Sequence, residues 1–159
     1  MIDFAALLQA LDSCQVEYIV VGGAAAIAHG SSRFTQDLDI VYSRSPENLQ
    51  RIVKALRDFK PYLRGVPPGL PFIWDQVTLA RGLNFTLQTS MGAIDLLGEI
   101  AGGGTYQNLV AASVDLRLFG GTSRCLSLDQ LIQAKRAAGR AKDLEALAEL
   151  EAIREETAS

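Results

Sequence analysis

Two carboxylates stand two residues apart in Gln36-Asp37-Leu38-Asp39-Ile40-Val41, a run of β-forming character. On a strand, positions i and i+2 share a face, so Asp37 and Asp39 project together while Leu38 and Ile40 turn to the other, buried side. Like charges side by side repel, and a divalent cation is the usual counterweight. Upstream, Val20-Val21-Gly22-Gly23 ends an apolar strand in a glycine pair before an alanine-rich segment. Glycines there let backbone N–H groups approach phosphate oxygens. Arg33 and Thr35, just ahead of the acid pair, are placed to reach phosphates, and Asp95 alternates with Ile94 and Leu96 on a later strand. Phosphates, a hard metal such as Mg²⁺ and carboxylates to hold it are the parts that phosphoryl chemistry requires. Taken singly, each has a plainer reading as a turn, a surface acid or a strand-edge residue; their order and spacing together are what point to a site.

The elements that must position these residues follow from periodicity. Asp3 to Ser13 reads as a helix, with Phe4, Leu7, Leu8 and Leu11 as its apolar stripe and Asp3 as N-cap. Glu17 to Val21 and Gln36 to Tyr42 read as strands, with a short helix over Ala24 to His29 between them. Ser45-Pro46-Glu47 opens a further helix, Ser at the N-cap and Pro at N1, with Leu49, Ile52, Val53 and Leu56 facing inward. Four of the five prolines lie between Pro61 and Pro71, a long loop that is a candidate lid. Ile73 to Ala80, Asn84 to Thr89 and Ala93 to Leu97 are predicted strands. Gly102-Gly103-Gly104 is a flexible break before a short helix, Thr105 to Ala111. Val114 to Phe119 and Thr122 to Leu126 form a predicted hairpin around Gly120-Gly121, and two helices close the chain, Ser127 to Ala137 and Ala141 to Glu155. His29, the one histidine, suits a structural place at a helix C-terminus.

With 159 residues, 48% hydrophobic and 21% charged, the chain is of a size for one globular domain. The net charge of −3 excludes a large uniform nucleic-acid footprint. Charge is uneven, however. Six basic residues between Arg44 and Arg64 face only Glu47 and Asp58, and six acids between Asp143 and Glu156 face only Arg154. Both read as solvated helix faces, with Arg51, Lys54 and Arg57 the ones that would favour RNA. Cys14 and Cys125 are distant and form no CxxC, so a disulfide framework or zinc site is not indicated and both are expected to be small buried hydrophobes. No leader is apparent at Met1-Ile2-Asp3 and no apolar run is long enough to span a bilayer, so a cytoplasmic protein with no membrane partner is expected. The glycine fingerprint of dinucleotide-binding folds is absent.

Gly22-Gly23, a spacer, Asp37-Leu38-Asp39-Ile40 and an apolar-flanked Asp95 together resemble the nucleotidyltransferase superfamily with the DNA polymerase beta-like fold. Arg33-Phe34-Thr35-Gln36-Asp37-Leu38-Asp39 is similar, more narrowly, to the version found in abortive-infection-type toxins and minimal relatives. The tail from Leu128 through Lys135, Arg140, Lys142 and Asp143 is similar to their C-terminal segment. The resemblance implies an α+β nucleotidyltransferase fold: a mixed central sheet with helices packed on it, a core over about 16–126 and C-terminal helices over about 127–156. It implies transfer of a nucleoside monophosphate from an NTP to a hydroxyl acceptor, whether RNA, protein or small molecule, with one or two Mg²⁺ ions. Asp37, Asp39 and Asp95 would be catalytic and metal-binding; Gly22, Gly23, Arg33, Thr35, Lys135 and Asp143 would bind nucleotide. Where many members carry Ser after the first glycine, this chain has Gly23 and then Ala24. The alternative is a weakly active or inactive protein of the same fold, serving as one half of a toxin–antitoxin pair whose ligand is its partner protein.

Overall fold

The computed structural model describes residues 2–67 and 69–158. In chain order its elements are α1 (Phe4–Ser13), β1 (Tyr18–Val21), α2 (Gly22–Ala28), β2 (Asp37–Tyr42), α3 (Pro46–Leu56) with a 3-10 turn at Arg57–Phe59, and β3 (Tyr62–Leu63). Next come α4 (Gln76–Arg81), β4 (Phe85–Thr89), β5 (Gly92–Leu97), β6 (Glu99–Ile100), β7 (Gly104–Thr105) and α5 (Tyr106–Leu109). A 3-10 turn at Val110–Ala112, β8 (Val114–Leu118), β9 (Gly121–Cys125), α6 (Leu128–Ala138) and α7 (Ala141–Ala158) complete it. Seven strands make one mixed sheet in the order β3-β4-β5-β2-β1-β9-β8, so the architecture is α+β as expected.

β2 lies between β1, antiparallel to it, and β5, parallel to it. A central strand with neighbours on both sides buries its apolar face completely: Leu38 and Ile40 are inaccessible to solvent, as are Ile94 and Leu96 on β5. The odd residues of both strands turn to the opposite face. β1 is buried along its whole length, which suits its continuous Tyr-Ile-Val-Val sequence. α1 packs on α3 and α6 on α7; Leu131, Ile132 and Leu150 of the last two helices belong to the same core as the sheet.

The caps at Asp3 and Ser45 form as the sequence indicates, accepting from the N–H groups of Ala6 and Asn48. Asn48 also fastens two elements. It is fully buried, accepts from Glu17 N at 2.7 Å and donates to Glu17 O and Ser43 O, tying the entry of β1 to the exit of β2.

The predicted strand over Ile73 to Ala80 is instead a loop and the helix α4. Asp75 caps that helix, its carboxylate accepting from Thr78 N at 2.8 Å. The β-branched residues misled: Ile73 and Val77 point to solvent, Trp74 is buried from the loop, and within the helix Leu79 is the buried residue, so the segment does not alternate as a strand would. Trp74 donates its indole N–H to Val53 O, which pins the loop to α3. Inside the Pro61–Pro71 loop lies the two-residue strand β3; Pro68 falls outside the described residues. The triple-glycine break is a tight β6–β7 hairpin. α2 begins at Gly22 rather than Ala24, and Cys14 is half-buried while Cys125 is buried. Among the described residues no helix is long and apolar enough to cross a membrane.

Candidate active site

Asp39 and Asp95 are direct partners in the β2–β5 register, and Asp37 stands opposite Ala93. In parallel strands register partners point the same way, so all three carboxylates share one face. One carboxylate oxygen from each lies within 4.8 Å of the others. Asp39, flanked by β1 and β5, is the innermost. Its Oδ1 is buried with no hydrogen-bond partner. Burial, and then the charges of Asp95 and Asp37, hold its carboxyl well above the ordinary carboxylate range. Three hard oxygen donors and an orphaned buried carboxylate oxygen fit a divalent cation, which would satisfy that atom and offset the repulsion.

Gly22 meets this cluster from the end of β1. Its φ is +63°, and a Cβ there would collide with Asp39 Oδ2. Both facts require glycine. A Cβ on Gly23 would come within 2.6 Å of Thr35 Oγ1, so Thr35 packs against the second glycine while donating to Asp37 O at 3.2 Å. The glycine pair thus brings bare backbone against the acid cluster, with Thr35 as its buttress.

A second charged group stands behind Asp39. Asp143 is almost fully buried, between Arg140 Nε at 2.6 Å and Lys135 Nζ at 3.3 Å. The Arg140 hydrogen bond first, with Lys135 adding to it, keeps its carboxyl below the ordinary range. Lys135, Arg140 and Asp143 line a cavity of about 260 Å³ together with Gly22, Asp39, Leu97 and Leu131. The Lys135 charge is felt at Asp39, whose proton affinity it lowers.

Arg33 is placed differently. Its guanidinium lies 3.9 Å from Glu149 and 4.0 Å from Glu145 of α7, and Glu149 also accepts from Ser31 Oγ, Ser32 N and Ser32 Oγ. The Gly30–Gln36 loop is thereby held to the last helix. His29 caps α2 and its Nε2 lies 2.8 Å from Leu126 O, a structural place. Lys54 and Arg57 line a separate cavity that includes none of the three aspartates.

Sequence reasoning missed Arg64. Counted there only as part of a basic stretch, it donates through Nη2 to Asp95 Oδ1 at 2.8 Å and sits 3.8 Å from Asp37 Oδ2. No motif or spacing marks it, because it arrives from the Pro61–Pro71 loop. Arg140 was likewise read only as part of the tail pattern and proves to be the main partner of Asp143.

No protein-family model matches the chain, and no curated protein matches it. Solved structures do. The lincomycin-bound lincosamide antibiotic adenylyltransferase LnuA superposes with a TM-score of 0.61 at 17% identity, covering 96% of this chain and 98% of that one. A Thermotoga maritima protein described as a nucleotidyltransferase gives 0.58 at 17% identity, covering 94% of each chain. The antibiotic-resistance factor ANT(2'')-Ia gives 0.55 at 14% identity, over 96% of this chain and 88% of its own. At these identities the likeness speaks for architecture, and it spans 94–96% of this chain. The fold of this protein is the nucleotidyltransferase fold.

Proposed function

We propose that the chain moves a nucleoside monophosphate from an NTP to a hydroxyl acceptor, with Asp37, Asp39 and Asp95 holding one or two Mg²⁺ ions. The observation that carries this reading is the convergence of the three carboxylates with Asp39 Oδ1 unpartnered and Asp39 Oδ2 directly against Gly22. The bound metal would neutralise phosphate charge and make the acceptor hydroxyl easier to deprotonate. The chain's own residues do the rest. Gly22 and Gly23 leave room for phosphate beside Asp39. Lys135, braced by Asp143, offers positive charge to the nucleotide in the inner cavity. Asp95, beside Asp39 in the β2–β5 register, accepts the acceptor's proton as the hydroxyl oxygen attacks the α-phosphorus and pyrophosphate leaves.

Acceptor and nucleotide fit on opposite sides of the triad. The outer side carries a cavity of about 550 Å³ lined by Phe34, Gln36, Asp37, Arg64, Gln88 and Ala93. A small molecule with a hydroxyl matches this cavity in size, and the likeness to LnuA, solved with lincomycin, supports that class over RNA. The Arg33-x-Thr35-x-Asp37-x-Asp39 resemblance supports a toxin–antitoxin setting in the cytoplasm. Incubation with α-labelled NTPs and Mg²⁺, in the presence of lincomycin, a metabolite extract, RNA and protein extract, is expected to give a labelled acceptor. If nothing is labelled and no NTP raises the melting temperature, the reading fails.

One observation favours a second reading. Arg64 already partly neutralises the acid cluster, which suits a protein of this fold that binds a partner instead of turning over NTP. A pull-down from the native host tests it: a stoichiometric partner protein, with no NTP-dependent labelling, would decide for it.

A further inference from the structure

Arg64 stands immediately after β3, the edge strand of the sheet, whose pairing with β4 consists of Tyr62 opposite Gln88 and Leu63 opposite Leu87. From there its guanidinium reaches back over β4 to the acid cluster. Nη2 donates both to Leu87 O at 2.7 Å and to Asp95 Oδ1 at 2.8 Å, and Nη1 lies 3.8 Å from Asp37 Oδ2. The side chain is 29% exposed, less than Asp37 at 41%, so it sits in the cluster's mouth rather than on its rim. Yet the seat is incomplete. Arg64 Nε is buried without a partner, and so is Asp39 Oδ1 on the inner side.

We propose that Arg64 is the resident counter-cation of the Asp37–Asp39–Asp95 cluster in the free protein, and that a divalent ion must displace it to bind. Three carboxylates this close need positive charge. A guanidinium cannot supply it and then lose it to pH, because arginine stays protonated in proteins. Its charge therefore leaves only by moving, and it competes with a divalent ion for the same carboxylates. The orphaned Nε makes departure cheaper than breaking a complete arginine network, since a new position can satisfy it. The path is short. Gly65 follows with φ +80° and open space around it, and the outer cavity beside Arg64 is walled by Phe34 and Gln88. The exposed Phe34 ring offers a face for a freed guanidinium. The consequence is that metal alone binds weakly. It enters together with the triphosphate, whose charge carries it in. That last step rests on the nucleotidyl-transfer reading; the displacement itself does not.

The test is nucleotide-free. Mn²⁺ is titrated into the full chain and free Mn²⁺ is read by electron paramagnetic resonance for the unmodified protein, Arg64→Gln, Arg64→Lys and Asp39→Asn. Arg64→Gln is expected to bind Mn²⁺ about tenfold more tightly or better, the scale of losing one competing charge-assisted contact. Arg64→Lys, which keeps the charge but loses the forked geometry, falls between, and Asp39→Asn loses the site. Circular dichroism melts establish folding; should Arg64→Gln not fold, Arg64→Lys alone decides. Equal or weaker Mn²⁺ binding by the Arg64 variants than by the unmodified protein, including no binding by either of them, overturns the proposal. Tighter binding without any nucleotidyl transfer would leave Arg64 as counter-cation and overturn the enzymatic reading instead.

Discussion

Asp39 on β2 and Asp95 on β5 are register partners in a parallel strand pair, so the backbone ladder itself holds two carboxylates side by side. Strand geometry commits both side chains to one face, and Leu38, Ile40, Ile94 and Leu96 on the opposite face fix that geometry by complete burial. A one-residue slip of either strand would drive acids into the core. The site's repulsion is therefore built into the fold, and substitutions there separate function from stability.

Asp39→Asn keeps the shape and removes the innermost charge. Nucleotidyl transfer is expected to fall roughly a thousandfold or more, the several kcal/mol that a metal centre contributes to a transition state. The metal-free fold should be at least as stable as before, because an amide in this place relieves repulsion with Asp95 and Asp37. Labelled-NTP turnover and a urea titration without metal measure the two quantities. Loss of both together would mean that Asp39 serves the fold.

The pH dependence follows from the same residue. Asp39 is raised from an ordinary 3.8 to about 7, by burial first and then by Asp95 and Asp37. A group whose folded pKa exceeds its unfolded one favours folding below the unfolded value, and that contribution is lost as pH rises through the folded value. Metal-free stability should accordingly decline from about pH 4 to about pH 7, the opposite of a salt-bridged carboxylate. Glu149 and Asp143, whose carboxyls are lowered, act at more acid pH, where stability falls as they are protonated. Chemical denaturation at a series of pH values, with Asp39→Asn beside the unmodified protein, checks this: the variant should lose the decline. Mg²⁺ should restore stability at the alkaline end, since metal binds the deprotonated form.

Much of this was legible before the structure. The Asp37/Asp39 face, the glycine pair and the caps at Asp3 and Ser45 are local patterns, where residue type and spacing determine the outcome. Two kinds of feature were not. α4 was misread because Ile73, Val77 and Thr78 carry strand propensity, while the cap at Asp75 and the burial of Leu79 decide for helix. Arg64 and Asn48 act through partners about thirty residues away, and no spacing announces such a contact, whereas Arg140 stands three residues before Asp143, a spacing that does offer the pair. Arg33 shows the converse: a residue beside the motif that is drawn instead to Glu145 and Glu149.

Asn48 tests the scaffold independently of the site. Replacing it with Ala removes three hydrogen bonds and leaves Glu17 N and Ser43 O without their partner, while Glu17 O keeps the Ser43 N–H at 3.1 Å. Stranded buried backbone groups make the expected loss about 2–4 kcal/mol. A urea midpoint shift without a change in slope would record it; a loss under about 1 kcal/mol would mean that water replaces the amide.

Gly22→Ala is the sharpest test of the phosphate-facing backbone. Two costs add at that position. A φ of +63° disfavours any Cβ, by about 1–2 kcal/mol, and the new methyl would collide with Asp39 Oδ2. Relief can come only from moving Asp39 away from Gly22 or from shifting the start of α2, and either opens the carboxylate cluster. Stability should fall by at least the backbone cost, and Mn²⁺ affinity should fall with it even though no ligand atom is deleted. Gly23→Ala makes the comparison, because its methyl would press on Thr35 and not on an acid. It should destabilise by crowding yet leave Mn²⁺ binding close to normal, so calorimetry on the two variants separates a glycine needed for the metal cluster from one needed for packing.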